Sequence, residues 1–164
     1  MLKYVNSVVT FSEIPDEITL CINISNCPCH CKGCHSAYLA EDVGKPLVGM
    51  ILREDLISKN KGITCVAFMG GDSDSKSINN LAEYIKTWPG LEHLKVAWYS
   101  GRQELSSDIK LENFNYIKLG PYKEEFGPLN SKTTNQRMYE VVLCHYDDGT
   151  SGYELEDITH KFWK

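Results

Sequence analysis

Hydrophobic and polar positions divide the chain into alternating strands and helices. Apolar runs and every-other-residue alternation predict strands, whereas apolar residues three and four positions apart predict amphipathic helices. Strands are predicted at residues 4–11, 17–24, 63–69, 94–99 and 116–119, with a closing hairpin at 137–146 and 152–158. Helices are predicted at 51–60 and 77–88, with a shorter one at 102–107. Strands that alternate with helices indicate an α/β fold with a parallel sheet.

Length and charge narrow the class of protein. A chain of 164 residues fits one domain, which we assign to residues 1–164. The net charge of −5 argues against nonspecific binding to nucleic acid or to an anionic membrane. No apolar run reaches the roughly 18 residues of a membrane-spanning helix, and the first residues do not resemble a signal peptide. We therefore expect a cytoplasmic protein without a nucleic-acid or membrane partner.

Cysteine is concentrated directly after the second predicted strand. Four of the seven cysteines lie within eight residues, at positions 27, 29, 31 and 34. An odd count in a reducing compartment favours metal ligands or reactive groups over disulfides. Cys27, Cys31 and Cys34 form a C-x3-C-x2-C frame that can face one iron–sulfur cluster. Cys29 lies two residues from Cys27 and from Cys31, and we expect it to point away from the face that those ligands share.

Other interpretations of the cysteines stay open at this level. His30 and His35 could supplement the thiols in a compact structural zinc loop, although zinc sites normally use two cysteine pairs far apart in sequence. A plain electron-transfer ferredoxin would carry a fourth regularly spaced cysteine before a proline. The cysteines could also have no metal role. A second motif, Gly70, Gly71 and Asp72, follows the next apolar strand, and by itself it reads as a strand-to-helix turn with Asp72 or Ser73 as the helix cap.

Together these motifs resemble the radical S-adenosylmethionine (SAM) superfamily. The three-cysteine frame after a strand is its signature, and residues 70–72 occupy the place of its Gly-Gly-Glu motif. Residues 120–122 (GPY) and 134–137 (TNQR) look like stretches of one small branch, the activating proteins of anaerobic ribonucleoside-triphosphate reductase. The chain departs from the family pattern at three positions, namely Gly33 for an aromatic residue, Asp72 for Glu and Thr134 for Ser. The matching segments run from about residue 17 to 140.

The resemblance implies a fold, two cofactors and a set of site residues. The fold would be an incomplete TIM-like βα barrel of about five or six strands. Cys27, Cys31 and Cys34 would hold a [4Fe–4S] cluster, and SAM would chelate the iron that has no cysteine ligand. Carbonyls of Gly70 and Gly71 and the Asp72 carboxylate would accept hydrogen bonds from the SAM ammonium. The residues that flank and include the last ligand, Gly33, Cys34 and His35, would lie near the adenosine.

The resemblance also implies the reaction and its partners. Reductive cleavage of SAM would yield methionine and a 5′-deoxyadenosyl radical, which takes a hydrogen atom from a glycine of the large reductase. No catalytic acid or base is expected, because the cofactors carry the chemistry. The electron would come from a small donor such as a flavodoxin. The alternatives are a radical SAM enzyme with a small-molecule substrate, such as a deazapurine synthase, and a zinc-stabilised binding module without catalysis.

Overall fold

Eight strands and two helices make up the structure, a computed structural model that describes residues 1–163. The strands are β1 (Lys3–Thr10), β2 (Thr19–Ile24), β3 (Lys45–Pro46), β4 (Cys65–Met69), β5 (Lys95–Tyr99), β6 (Tyr116–Leu119), β7 (Arg137–His145) and β8 (Ser151–Asp157). Helix α1 begins as an α-helical turn (Gly49–Ile51) and continues with π-helical hydrogen bonds (Leu52–Ile57), and helix α2 is Ser75–Thr87. Short 3-10 turns lie at Ala37–Ala40, Leu111–Asn113 and Thr159–Phe162. The main strands and both long helices therefore lie within a few residues of their predicted positions.

All eight strands belong to one mixed sheet in the order β3-β1-β2-β4-β5-β6-β7-β8. The central strands β2, β4, β5 and β6 are parallel, whereas β1, β3, β7 and β8 are added antiparallel at the two sides. The prediction of an incomplete TIM-like βα barrel is wrong. A hairpin at each side, β1–β2 and β7–β8, takes the position where further βα units would continue a barrel. The connections within these hairpins, residues 11–18 and 146–150, are too short for the crossover of a dozen or more residues that a further parallel strand would need.

The connection between β5 and β6 also differs from the prediction. Residues 102–107 form no helix, and the 3-10 turn Leu111–Asn113 is the only helical segment in this connection. Within residues 1–163, α1 and α2 are thus the only helices longer than four residues. None of the described helices has the length and apolar character needed to cross a lipid bilayer.

Both helices pack on the same face of the sheet. Alternate residues of the parallel strands, including Phe68 and Trp98, are fully buried there against the apolar side of α2. Asp74 caps this helix, since its side chain accepts a hydrogen bond of 3.1 Å from the Ser77 backbone N–H. The predicted caps Asp72 and Ser73 are therefore wrong. The cap lies one or two residues later and leaves the Asp72 carboxylate for other contacts.

The opposite face of the sheet carries a smaller core and the site. Its buried residues include Ile14, Ala67, Ala97 and Met138, and loop residues such as Phe162 pack against them. The carboxyl ends of the four parallel strands meet at one edge, as they do wherever parallel strands adjoin. The loops that follow them begin at Ser25, Gly70, Ser100 and Gly120, and they bring the sequence motifs together there.

Candidate functional site

The cysteine loop follows β2 and is held by backbone hydrogen bonds to the segment after it. The N–H of Asn26 donates to the Glu41 carbonyl at 3.0 Å, and that of Cys27 donates to the Leu39 carbonyl at 2.9 Å. A tight turn closes the loop, since the Cys34 N–H donates to the Cys31 carbonyl at 3.2 Å. The loop backbone is thereby held at its start and in its last turn.

Every cysteine of the loop lines one cavity of about 690 Å³. The expectation that Cys29 points away from the face shared by Cys27, Cys31 and Cys34 is therefore wrong. All four are free thiols that are neither fully buried nor fully exposed. His35, Gly70 and Asp72 line the same cavity, so the structure brings the two sequence motifs to one place. Gly33 and Gly71 are not among the described lining residues. A volume of this size lies within the range of small-molecule sites, roughly 300–1,000 Å³.

The donor set can be compared with what an iron–sulfur cluster needs. Free thiols on one short loop are the ligands that such clusters take. However, no group of three or more Cys, His, Asp or Glu side chains within residues 1–163 is arranged around a common point as metal ligands. The donor chemistry and the shared cavity fit a cluster held by Cys27, Cys31 and Cys34.

Cys29 has contacts that distinguish it from the other three cysteines. Its Sγ lies 3.8 Å from Asp72 Oδ2, and it packs against Gly101 on the next strand end. Burial, followed by the negative charge of Asp72, raises the pKa of the Cys29 thiol to about 12. A Cβ added at Gly101 would stand 2.7 Å from this Sγ, which is far inside ordinary contact distance. Cys29 thus joins the cysteine loop to the turns after β4 and β5.

Asp72 is buried, and protein groups occupy both of its carboxylate oxygens. Oδ1 accepts a hydrogen bond of 2.5 Å from Ser100 Oγ, and Oδ2 accepts one of 2.9 Å from the Gly101 N–H. These bonds tie the turn after β4 to the turn after β5. Asp72 therefore positions the two turns relative to each other. A ligand ammonium could still donate to the remaining lone pairs of the Asp72 carboxylate oxygens.

The two glycines before Asp72 also have protein partners. Trp98 Nε1 donates to the Gly70 carbonyl at 2.8 Å, and the Asp74 N–H donates to the Gly71 carbonyl at 3.0 Å. Gly71 has φ +93°, and a Cβ there would lie 2.6 Å from Ile78 Cδ1 of helix α2. Glycine is needed at this position for the close packing of α2. Each carbonyl keeps a second lone pair with which it could bind a ligand.

Residues 120–122 and 134–137 meet on the other side of the cavity. Asn135 Nδ2 donates to the Pro121 carbonyl at 2.9 Å, and Thr134 and Gln136 are buried. The ring of Tyr122 lies 5.8 Å from that of His35, measured between centroids, so this turn also touches the cysteine loop. The TNQR segment therefore supports the turn after β6.

Lys118 on β6 is the site residue that sequence reasoning missed. It lines the cavity and is only 7% exposed. Its Nζ donates to the Gly120 carbonyl at 2.8 Å and reaches the Ser100 carbonyl at 3.4 Å. Burial lowers its pKa to about 8, although the nearby thiols and Asp72 act in the opposite direction. The sequence does contain a signal for this residue. It is a lysine within a short, otherwise apolar strand, directly before Gly120 and Pro121.

Comparison with family models, with curated proteins and with solved structures found no match to this chain. The resemblance described above therefore rests on the sequence motifs alone.

Proposed function

We propose that this chain is a radical SAM activase that generates a glycyl radical on anaerobic ribonucleoside-triphosphate reductase. The observation that carries the proposal is the shared cavity, where the thiols of Cys27, Cys31 and Cys34 lie with Gly70 and Asp72. These groups come from loops after two adjacent parallel strands, β2 and β4. The motif order and spacing described above supply the link to the reaction.

In this proposal the protein's residues bind and orient, and they do not transfer protons. Cys27, Cys31 and Cys34 hold a [4Fe–4S] cluster, which supplies the electron for SAM cleavage when it is bound. The turn at Gly70, Gly71 and Asp72 orients the amino-acid portion of SAM, and Gly33, Cys34 and His35 lie toward its adenosine. Cys29 keeps the cysteine loop against the turn after β5. The partners are the large reductase and a small donor such as flavodoxin, in the cytoplasm where thiols stay reduced.

Anaerobic reconstitution with iron and sulfide tests the proposal. We expect about four irons per chain and, with dithionite, release of methionine and 5′-deoxyadenosine from SAM. Mixing with the large reductase should then produce the electron paramagnetic resonance doublet of a glycyl radical. One tightly held zinc ion without SAM cleavage would establish the zinc-stabilised module instead. SAM cleavage without a glycyl radical on the reductase would leave a radical SAM enzyme with another substrate.

Single cysteine variants test which thiols are ligands. Cys27→Ala, Cys31→Ala and Cys34→Ala should each lose most of the bound iron and the SAM cleavage. Cys29→Ala is the matched control, because it removes a thiol from the same loop and the same cavity. It should keep the iron content and the cleavage activity of the natural chain. Loss of the cluster in Cys29→Ala together with its retention in Cys27→Ala would overturn the ligand assignment.

A further inference from the structure

Cys29 is a fourth thiol in the cavity that the proposed cluster ligands share. Its neighbours Cys27 and Cys31 are each two residues away in the chain, so its Cα lies within about 7 Å of theirs. These thiols and that of Cys34 all line the cavity of about 690 Å³. The loop therefore presents one more thiol to the cavity than the proposed cluster binding uses.

The sulfur of Cys29 lies beside the turn that orients the amino-acid portion of SAM in the proposed function. Its Sγ is 3.8 Å from Asp72 Oδ2. Ser100 and Gly101 donate hydrogen bonds to the same carboxylate and thereby fix its position. The amine of SAM has to reach both this carboxylate and the iron that has no cysteine ligand. The thiol of Cys29 therefore lies in the space that SAM has to enter.

An iron without a protein ligand is the weak point of a cluster that three cysteines hold. Only the cluster sulfides bind that iron, and an oxidant can remove it. The cluster then gives up a single electron, releases a ferrous ion and becomes [3Fe–4S]. A fourth thiolate completes the coordination of the iron, as it does in clusters with four cysteine ligands. A fourth thiolate that SAM can displace would protect the iron and still leave the reaction open.

We propose that Cys29 is a removable fourth ligand of the cluster. Without SAM, its thiol gives a proton to water, and its sulfur bonds to the iron that Cys27, Cys31 and Cys34 do not hold. When SAM binds, the bond between Cys29 and iron breaks, and the thiolate takes up the proton that the SAM ammonium loses as its nitrogen binds the iron. Asp72 favours this exchange, because its carboxylate repels a thiolate and accepts hydrogen bonds from an amine. The inference rests on the proposed function and adds to it how the iron is held before SAM arrives.

Loss of iron on oxidation tests this role. Anaerobically reconstituted protein is treated with ferricyanide, with and without SAM. The [3Fe–4S] product is followed by electron paramagnetic resonance, and the iron left on the protein is measured after gel filtration. The proteins compared are the natural chain, Cys29→Ala, Cys29→Ser and the control Cys144→Ala. The control removes a thiol from β7, outside the described lining of the cavity.

Serine at position 29 separates ligation from hydrogen bonding. Its hydroxyl can still donate to Asp72, but it stays protonated near neutral pH and is a poor ligand for iron. Cys29→Ser should therefore behave as Cys29→Ala does if the thiol acts as a ligand.

Without SAM, we expect both Cys29 variants to form [3Fe–4S] at least about 10-fold faster than the natural chain. Loss of a group that merely orients a metal ligand already weakens metal binding about 10- to 100-fold, and loss of a direct ligand should cost no less. With saturating SAM the rates should converge, because SAM then covers the iron in every protein. Equilibrium dialysis on oxidised protein should also show tighter SAM binding by both variants, since no thiolate has to be displaced. Cys144→Ala should match the natural chain throughout.

Equal rates of iron loss in the natural chain and the Cys29 variants without SAM would overturn the inference and leave the proposed function intact. A difference that persists with SAM bound would also overturn it, because Cys29 would then support the loop and not the iron. Loss of iron from both Cys29 variants before any oxidant is added would make Cys29 a permanent ligand, which likewise contradicts a removable one. A natural chain that binds no [4Fe–4S] cluster would overturn the proposed function and this inference together.

Discussion

Close packing between Gly101 and Cys29 gives the most direct test of how the cysteine loop is held. Gly101→Ala places a Cβ 2.7 Å from Cys29 Sγ and 3.1 Å from Cys29 Cβ. Ordinary contacts begin near 3.4 Å, so the sulfur must move by roughly 0.7 Å or more. The movement strains either the loop backbone or the contact between Cys29 and Asp72. Overpacking of this kind typically costs about 1–3 kcal/mol of unfolding free energy.

A double-mutant cycle isolates this contact. Cys29→Ala removes the sulfur and leaves the Cβ contact of 3.1 Å, which a shift of a few tenths of an ångström relieves. Gly101→Ala should therefore cost less than about 1 kcal/mol when it is made in the Cys29→Ala background. Urea unfolding of the metal-free chain under reducing conditions, followed by far-UV circular dichroism, measures all four corners of the cycle.

The control for this cycle is Cys34→Ala. Its side chain lies farther from the added Cβ than the three nearest atoms, which belong to Cys29 and Asp72. Cys34→Ala should therefore leave the full cost of Gly101→Ala in place. Costs that simply add in the Cys29→Ala background, or an equal rescue by Cys34→Ala, would refute the packing of Cys29 against the turn after β5.

Two further predictions concern stability. The Lys118 pKa of about 8 lies below the roughly 10.4 of an unfolded lysine, so between these values the unfolded chain binds more protons and stability rises with pH. Unfolding free energies from urea titrations of the metal-free chain should show the natural chain gaining about 1 kcal/mol of stability relative to Lys118→Met from pH 8 to 9. A constant difference between the two would contradict the burial of the charge. Trp98→Phe removes the N–H that donates to the Gly70 carbonyl at 2.8 Å and opens space in the core, so it should cost about 2–4 kcal/mol. A cost below about 0.5 kcal/mol in the same titration would mean that the indole N–H does not hold Gly70.

Most elements of the fold could be predicted from the sequence. The apolar strands β4 and β5 and the amphipathic helix α2 all form within two residues of their predicted bounds. These predictions succeed because burial repeats with the local period of the backbone, two residues in a strand and 3.6 in a helix. The adjacency of the cysteine loop and Gly70 was also predictable, because both follow consecutive apolar strands that pair in parallel.

The sequence by itself determined the thiol donors of the site and the strand ends from which they extend. Only the tertiary structure decided what occupies the two sides of the sheet, since β1 and β7 add in antiparallel orientation where the predicted barrel needed more βα units. Tertiary contacts likewise decided that the Asp72 carboxylate accepts hydrogen bonds from Ser100 and Gly101. They also placed Lys118 in the lining of the cavity. Asp72 lies 28 residues from Ser100 and 29 from Gly101 in the chain, and no local periodicity encodes that these residues meet.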